Sequence, residues 1–114
     1  MTIILFALAA AATPAFADPY PNARIESGLI HHGCHARYGL STSDTIANVA
    51  SFYKLKAYRA HIPLFNESNA GLKDYENLTF IAKPELLNIV ASRRNNRTHV
   101  LVSYITADNA SCRN

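Results

Sequence analysis

Within five residues, His31-His32-Gly33-Cys34-His35, the chain gathers three imidazoles and a thiol, the side chains that zinc and copper favour as ligands. The chemistry on offer is a metal site made by His31, His32 and His35, with His61 or His99 able to join it. A strand sends alternate side chains to opposite faces, so His31 and His32 reach one ion only across a bend, which Gly33 can supply. Cys34 has a second role open to it. Two cysteines are present, Cys34 near the start and Cys112 near the end, and an even count in an oxidising compartment favours a disulfide. A bridge closing so long a loop stabilises a fold by about 4 to 5 kcal/mol on the chain-entropy account, and it removes the thiol from the ligand set.

Other chemistry has less to stand on. Nucleophilic catalysis needs a Ser or Cys with a His and an orienting acid, and these types are present without a local signature such as a nucleophile elbow. Glu26, Asp44, Asp74, Glu76 and Glu85 show no spacing that marks a paired-carboxylate hydrolase, and there is no glycine-rich phosphate loop. The reading is therefore a protein that is not an enzyme and needs no cofactor. Tyrosine suits contact surfaces that are part apolar and part polar, and Tyr58, Phe65 and Tyr75, in and around a long irregular segment, are the candidates for binding. No aromatic platform interleaved with basic residues points to nucleic acid.

The compartment is read from the first residues. Ile3 to Ala12 is an unbroken apolar run, about the length of a signal-peptide core and short of the roughly 20 residues that cross a bilayer. Pro14 breaks it, and Ala15-Phe16-Ala17 then places small residues three before and one before a cut. Residues 1–17 are thus expected to be a signal peptide cleaved near Ala17, and 18–114 one small mature domain without a transmembrane segment. Asp18, not Cys, would stand first in the mature chain, which argues against a lipid anchor. The expected location is periplasmic or secreted, and the expected partner an envelope or extracellular protein. Eleven basic and eight acidic residues give a net charge of +3, a weak bias, with only Arg93, Arg94 and Arg97 clustered, at a hairpin tip. Asn66, Asn77, Asn96 and Asn109 each match the N-glycosylation pattern; in a eukaryotic secretory pathway they are surface glycosylation sites, and in a bacterial protein, which the alanine-rich leader favours, they mean only that loops carry Asn, Ser and Thr.

The elements that must position these groups are uneven in clarity. Asp18 to Asn22 holds two prolines and reads as an extended lead-in. Short strands follow near 24–31 and 34–40, turning at Gly33. Ser43 as N-cap, Asp44 in the first turn and apolar Ile46, Val49, Ala50, Tyr53, Ala57 and Ala60 predict one amphipathic helix of about 16 residues. Residues His61 to Glu76 read as a long loop with room for one short strand, and Asn77 to Ala82 as a strand. If Asn95-Asn96 makes a two-residue turn, Arg94 faces Arg97, Ala91 faces Val100, Ile89 faces Val102 and Leu87 faces Tyr104. The last three pairs share one apolar face for the helix to cover. The other face carries Asn88 with Ser103 and Ser92 with His99, and Val90 with Leu101 and Leu86 with Ile105 leave it only partly polar.

Three short stretches, Tyr20-Pro21-Asn22-Ala23, Ser41-Thr42-Ser43-Asp44, and Val49 with Phe52-Tyr53-Lys54, occur in an order that resembles a loose group of small exported bacterial proteins. That group has a YPGA opening, a TSDS helix start and a VxxFY helix followed by a strand meander, and its members are mostly of unknown function. The resemblance covers residues 20–60, with Asn22 in place of the glycine, and it implies no catalytic residue. The expected fold is α+β, a single helix packed on an antiparallel sheet of four or five strands. The expected role is an exported binding or structural module contacting its partner through the exposed sheet face and the segment from His61 to Glu76.

Overall fold

The strand pair ending the chain sits in the middle of the sheet. In a computed structural model, which describes residues 13–106 and of His32 the backbone alone, β5 (Glu85–Arg94) and β6 (Arg97–Ile105) pair with Leu87 opposite Tyr104, Ile89 opposite Val102, Ala91 opposite Val100 and Arg94 opposite Arg97. Asn95 and Asn96 turn the chain with φ of 54° and 61°, the pattern of a type I′ hairpin, whose twist matches that of its strands. The six apolar side chains are each at most 3 % exposed.

A second hairpin, β1 (Arg24–His32) and β2 (His35–Thr42), turns at Gly33 with φ 60°. Its β2 joins β6 in unbroken register from Ala36 opposite Tyr104 to Thr42 opposite Thr98. Beyond β5 lie β4 (Tyr75–Ala82) and then β3 (Leu64–Ser68). The order is β1-β2-β6-β5-β4-β3, one six-stranded sheet rather than four or five strands. The additional strand, β3, falls inside the segment read as a long loop with room for one short strand. All five of its residues are exposed, so it has no buried face to impress the alternation by which strands are recognised.

One helix, α1 (Ile46–Arg59), covers one face of this sheet and buries Val49, Tyr53 and Ala57. Its cap is Thr45 rather than the expected Ser43: the Thr45 hydroxyl accepts the Asn48 N–H at 3.1 Å. Asp44, one residue earlier, is engaged elsewhere. Its carboxylate accepts the Thr45 N–H and the Asn48 amide and binds the Tyr20 hydroxyl, which is held up to about 12 by burial and by that carboxylate. At the other end His61 N–H bonds Tyr58 O and Ile62 N–H bonds Ala57 O, at 3.1 and 2.9 Å, a Schellman motif with Ile62 folded back on Ala57. Its left-handed position, usually glycine, is His61 with φ 61°.

The entry to the domain is a turn, Tyr20 to Ala23, closed by Ala23 N–H to Tyr20 O at 3.2 Å. Asn22 has φ 61° there, a left-handed conformation that asparagine tolerates better than most residues. Before it, a 3-10 turn at Ala15–Ala17 packs between helix and sheet, with Phe16 5 % and Ala17 0 % exposed. Tyr38 donates its hydroxyl to Ala17 O at 2.5 Å, and Tyr53 donates to Asp18 O at 2.7 Å. Phe16 meets Tyr104 edge-on, with ring centroids 6.4 Å apart. Truncating such a buried Phe costs about 3 to 5 kcal/mol.

Candidate functional site

The sheet has two edges, and they differ. On β1 the register slips between Ile25 and Ser27 and again between Ser27 and Ile30, and such bulges twist an edge away from foreign strands. On β3 the register slips once, between Leu64 and Asn66, and Asn66 to Ser68 run on in regular pairing with β4. Among the described residues no strand lies beside the outer backbone of β3.

Around the start of β3 the apolar exposure of the molecule concentrates. Tyr58 is 77 % exposed, Phe65 73 % and Leu64 45 %. Two hollows adjoin there on the helix side. One of about 200 Å³ is lined by Lys54, Tyr58, Ile62, Pro63, Leu64 and Phe80, the other of about 220 Å³ by Tyr58, His61, Ile62 and Pro63. The positions follow from local rules. The Schellman turn delivers Ile62 to the core and throws Pro63 outward, while α1 ends with Tyr58 on its solvent side. Phe65 stands at the register slip, beside Leu64.

Charge frames the same edge. Glu67 lies opposite Leu78 on β4, so Glu76, two residues back, is its diagonal neighbour on the helix side. The Lys54 ammonium sits 3.0 Å from Glu67 and, by hydrogen bond and charge, holds that carboxyl below its ordinary range. Loss of water and then the neighbouring Glu67 push the Glu76 carboxyl up. Sequence reading missed this trio because the spacing of 67 and 76 means nothing until β3 and β4 are paired.

The other expected sites are distributed over the molecule. Tyr75 is half-buried opposite Ser92, on the face away from the helix and five strand residues, about 17 Å, from the Phe80 end of β4. Tyr58 thus lines both hollows, Phe65 stands exposed at the register slip next to Leu64, and Tyr75 lies on the other face. In the β1–β2 hairpin His31 pairs with Ala36, whose side chain is buried under the helix face, while His32 pairs with His35 in the backbone register. His31 and His35 therefore stand on opposite faces, and among the described residues no three His, Cys, Asp or Glu side chains converge as metal ligands would. Cys34 is half-buried in the turn; Cys112, and with it the expected bridge, lies outside the described residues. Of the three clustered arginines, Arg93 turns inward and donates to Ser43 O, Asp44 O and Thr98 Oγ1, clamping the helix start.

The face of the sheet away from the helix brings together one arrangement that resembles catalytic chemistry. His99 Nδ1 lies 3.1 Å from Glu26 Oε1, and both border a shallow hollow of about 200 Å³ with Ser27, Ser92 and Leu101. Hydrogen bonds from Ser41 and His99 lower the Glu26 carboxyl. A carboxylate on Nδ1 orients an imidazole as a base, yet among the described residues no hydroxyl is hydrogen-bonded to its Nε2. The hollow is open to solvent, where a base has little advantage over water.

No protein-family model matches this chain, and no curated protein matches it. Among the described residues no helix is long and apolar enough to cross a membrane.

Proposed function

We propose that this protein is an exported, non-enzymatic binding module that captures an extended apolar segment of an envelope or extracellular protein along β3. The observation that carries the reading is an edge strand with all five residues exposed, lying beside two side-chain-sized apolar hollows. Strand addition takes affinity from main-chain hydrogen bonds and selectivity from pockets for alternate side chains, and this edge supplies both. His61 in a left-handed conformation where helix ends favour glycine sits on the rim of the second hollow. A local rule broken at such a place is a mark of function.

The export reading includes one cross-link, Cys34 to Cys112. Ala36 lies opposite Tyr104, so Cys34 stands where the chain leaves β6, a few residues before Cys112.

The test uses a display library of random twelve-residue peptides panned on the full chain. Enriched peptides are expected to share alternating apolar residues and to lose at least tenfold in affinity to both Tyr58→Ala and Phe65→Lys. An enrichment without that pattern, or binding that survives both substitutions, sinks the reading.

A further inference from the structure

We propose that the segment captured along β3 is cationic, with a Lys or Arg facing Glu67 and a large apolar residue two positions away seated in the hollow beside Leu64. The inference rests on the capture reading above and adds the partner's charge and its spacing from the apolar anchor.

Both requirements come from the register of β3 on β4. Leu64 lies opposite Phe80 and Glu67 opposite Leu78, and Phe80 and Leu78, two residues apart, are both buried in the core. The slip at Phe65 therefore puts Leu64 and Glu67 on the same side of the sheet, the helix side, two rungs apart. Leu64 borders the hollow that Lys54, Tyr58, Ile62, Pro63 and Phe80 complete. On a strand added outside β3, the side chain directly opposite Glu67 has its Cβ about 5 Å from that of Glu67. The side chain two positions along comes to the mouth of the hollow.

The sign of the charge follows from the groups at this rung. Among the described residues the carboxyls of Glu67 and Glu76 have one ammonium beside them, that of Lys54, 3.0 Å from Glu67. Loss of water and the neighbouring Glu67 already hold the Glu76 carboxyl up, as befits a pair short of one cation. An incoming strand takes more water from both acids, and a carboxylate buried without a partner is costly. A Lys or Arg opposite Glu67 supplies the missing charge. A second copy of this chain does not, because its β3 holds Glu67 and no basic residue, and pairing the two edges adds acid to acid.

The experiment titrates the full chain with two fluorescein-labelled synthetic peptides, read by anisotropy. One is Thr-Leu-Thr-Lys-Thr-Leu-Thr, with Leu on both sides of the cation so that either strand direction is served; its twin has Glu in place of Lys. At low salt the Lys peptide is expected to bind about tenfold tighter, attraction in one case being set against repulsion in the other, and high salt should shrink the difference. Glu67→Gln should erase the preference and Glu67→Lys should reverse it. Equal binding of the two peptides, both lost with Tyr58→Ala, would overturn the charge rule and leave capture along β3 standing. Binding indifferent to Tyr58→Ala and Glu67→Gln alike, or a chain that dimerises and takes neither peptide, would overturn both.

Discussion

Single carboxyls at the β3 edge carry opposite signs of pH dependence. Glu76 is raised in the fold, so its ionised form is disfavoured there; that cost is present above its folded pKa and disappears as pH falls through it. Glu67 is lowered beside Lys54, so its contribution is present above the ordinary carboxylate range and is lost as pH falls through its folded value. Glu76→Gln should therefore stabilise the chain at pH 7 and change nothing near pH 3, whereas Glu67→Gln should destabilise it at pH 7 and be neutral near pH 3. With the Glu67 side chain 38 % exposed, each effect is a few tenths of a kcal/mol. Urea melts at the two pH values check the pair, and equal signs would show that the carboxyls do not interact. Tyr38→Phe in the full chain strands the buried Ala17 carbonyl and should cost about 1 to 3 kcal/mol.

Helix α1 is delimited by residues that can be tested separately. Thr45→Ala removes the hydroxyl that holds the Asn48 N–H and should cost about 1 kcal/mol, while Ser43→Ala, two residues ahead of the helix, should cost far less. Reversed values in thermal melts would restore Ser43 as the cap. At the far end, His61→Gly relieves a side chain in the left-handed region and should stabilise the fold by about 1 kcal/mol. If His61 serves the neighbouring hollow, the more stable variant will bind the selected peptides less well. The element most legible in the sequence was the β5–β6 hairpin. Two strands joined by a two-residue Asn-Asn turn have only one register that keeps Leu87, Ile89 and Ala91 facing Tyr104, Val102 and Val100, and a slip by one residue would turn every apolar side chain to water. The helix was legible for the same reason, a period imposed by burial. Its cap was not, because Ser43, Asp44 and Thr45 are all good caps and only tertiary partners choose among them: Tyr20 takes the Asp44 carboxylate, and Arg93 and Thr98 take its carbonyl.

At the scale of the whole molecule the described residues leave one regular edge and one face of the sheet uncovered, and a chain concentrated in solution should use that edge first. Phe65→Lys places a charge where edge strands commonly carry one, and it should lower light scattering on heating without changing the melting point by more than about 2 °C. Scattering that is unchanged would locate self-association elsewhere. Composition, the apolar run at the N-terminus, the helix period and the hairpin register were set by the sequence itself, because each depends on near neighbours or on a repeat that burial enforces. Tertiary structure alone decided the rest. It recruited β3 from a segment with no period, since an edge strand is held by backbone bonds to β4 and needs no pattern of its own. It joined Glu67 with Glu76, placed Tyr75 far from Tyr58 and Phe65, and separated His31 from His35 across the sheet. It also packed Phe16 under the helix and gave the Tyr38 hydroxyl the Ala17 carbonyl, contacts between segments far apart in the chain that no local pattern announces.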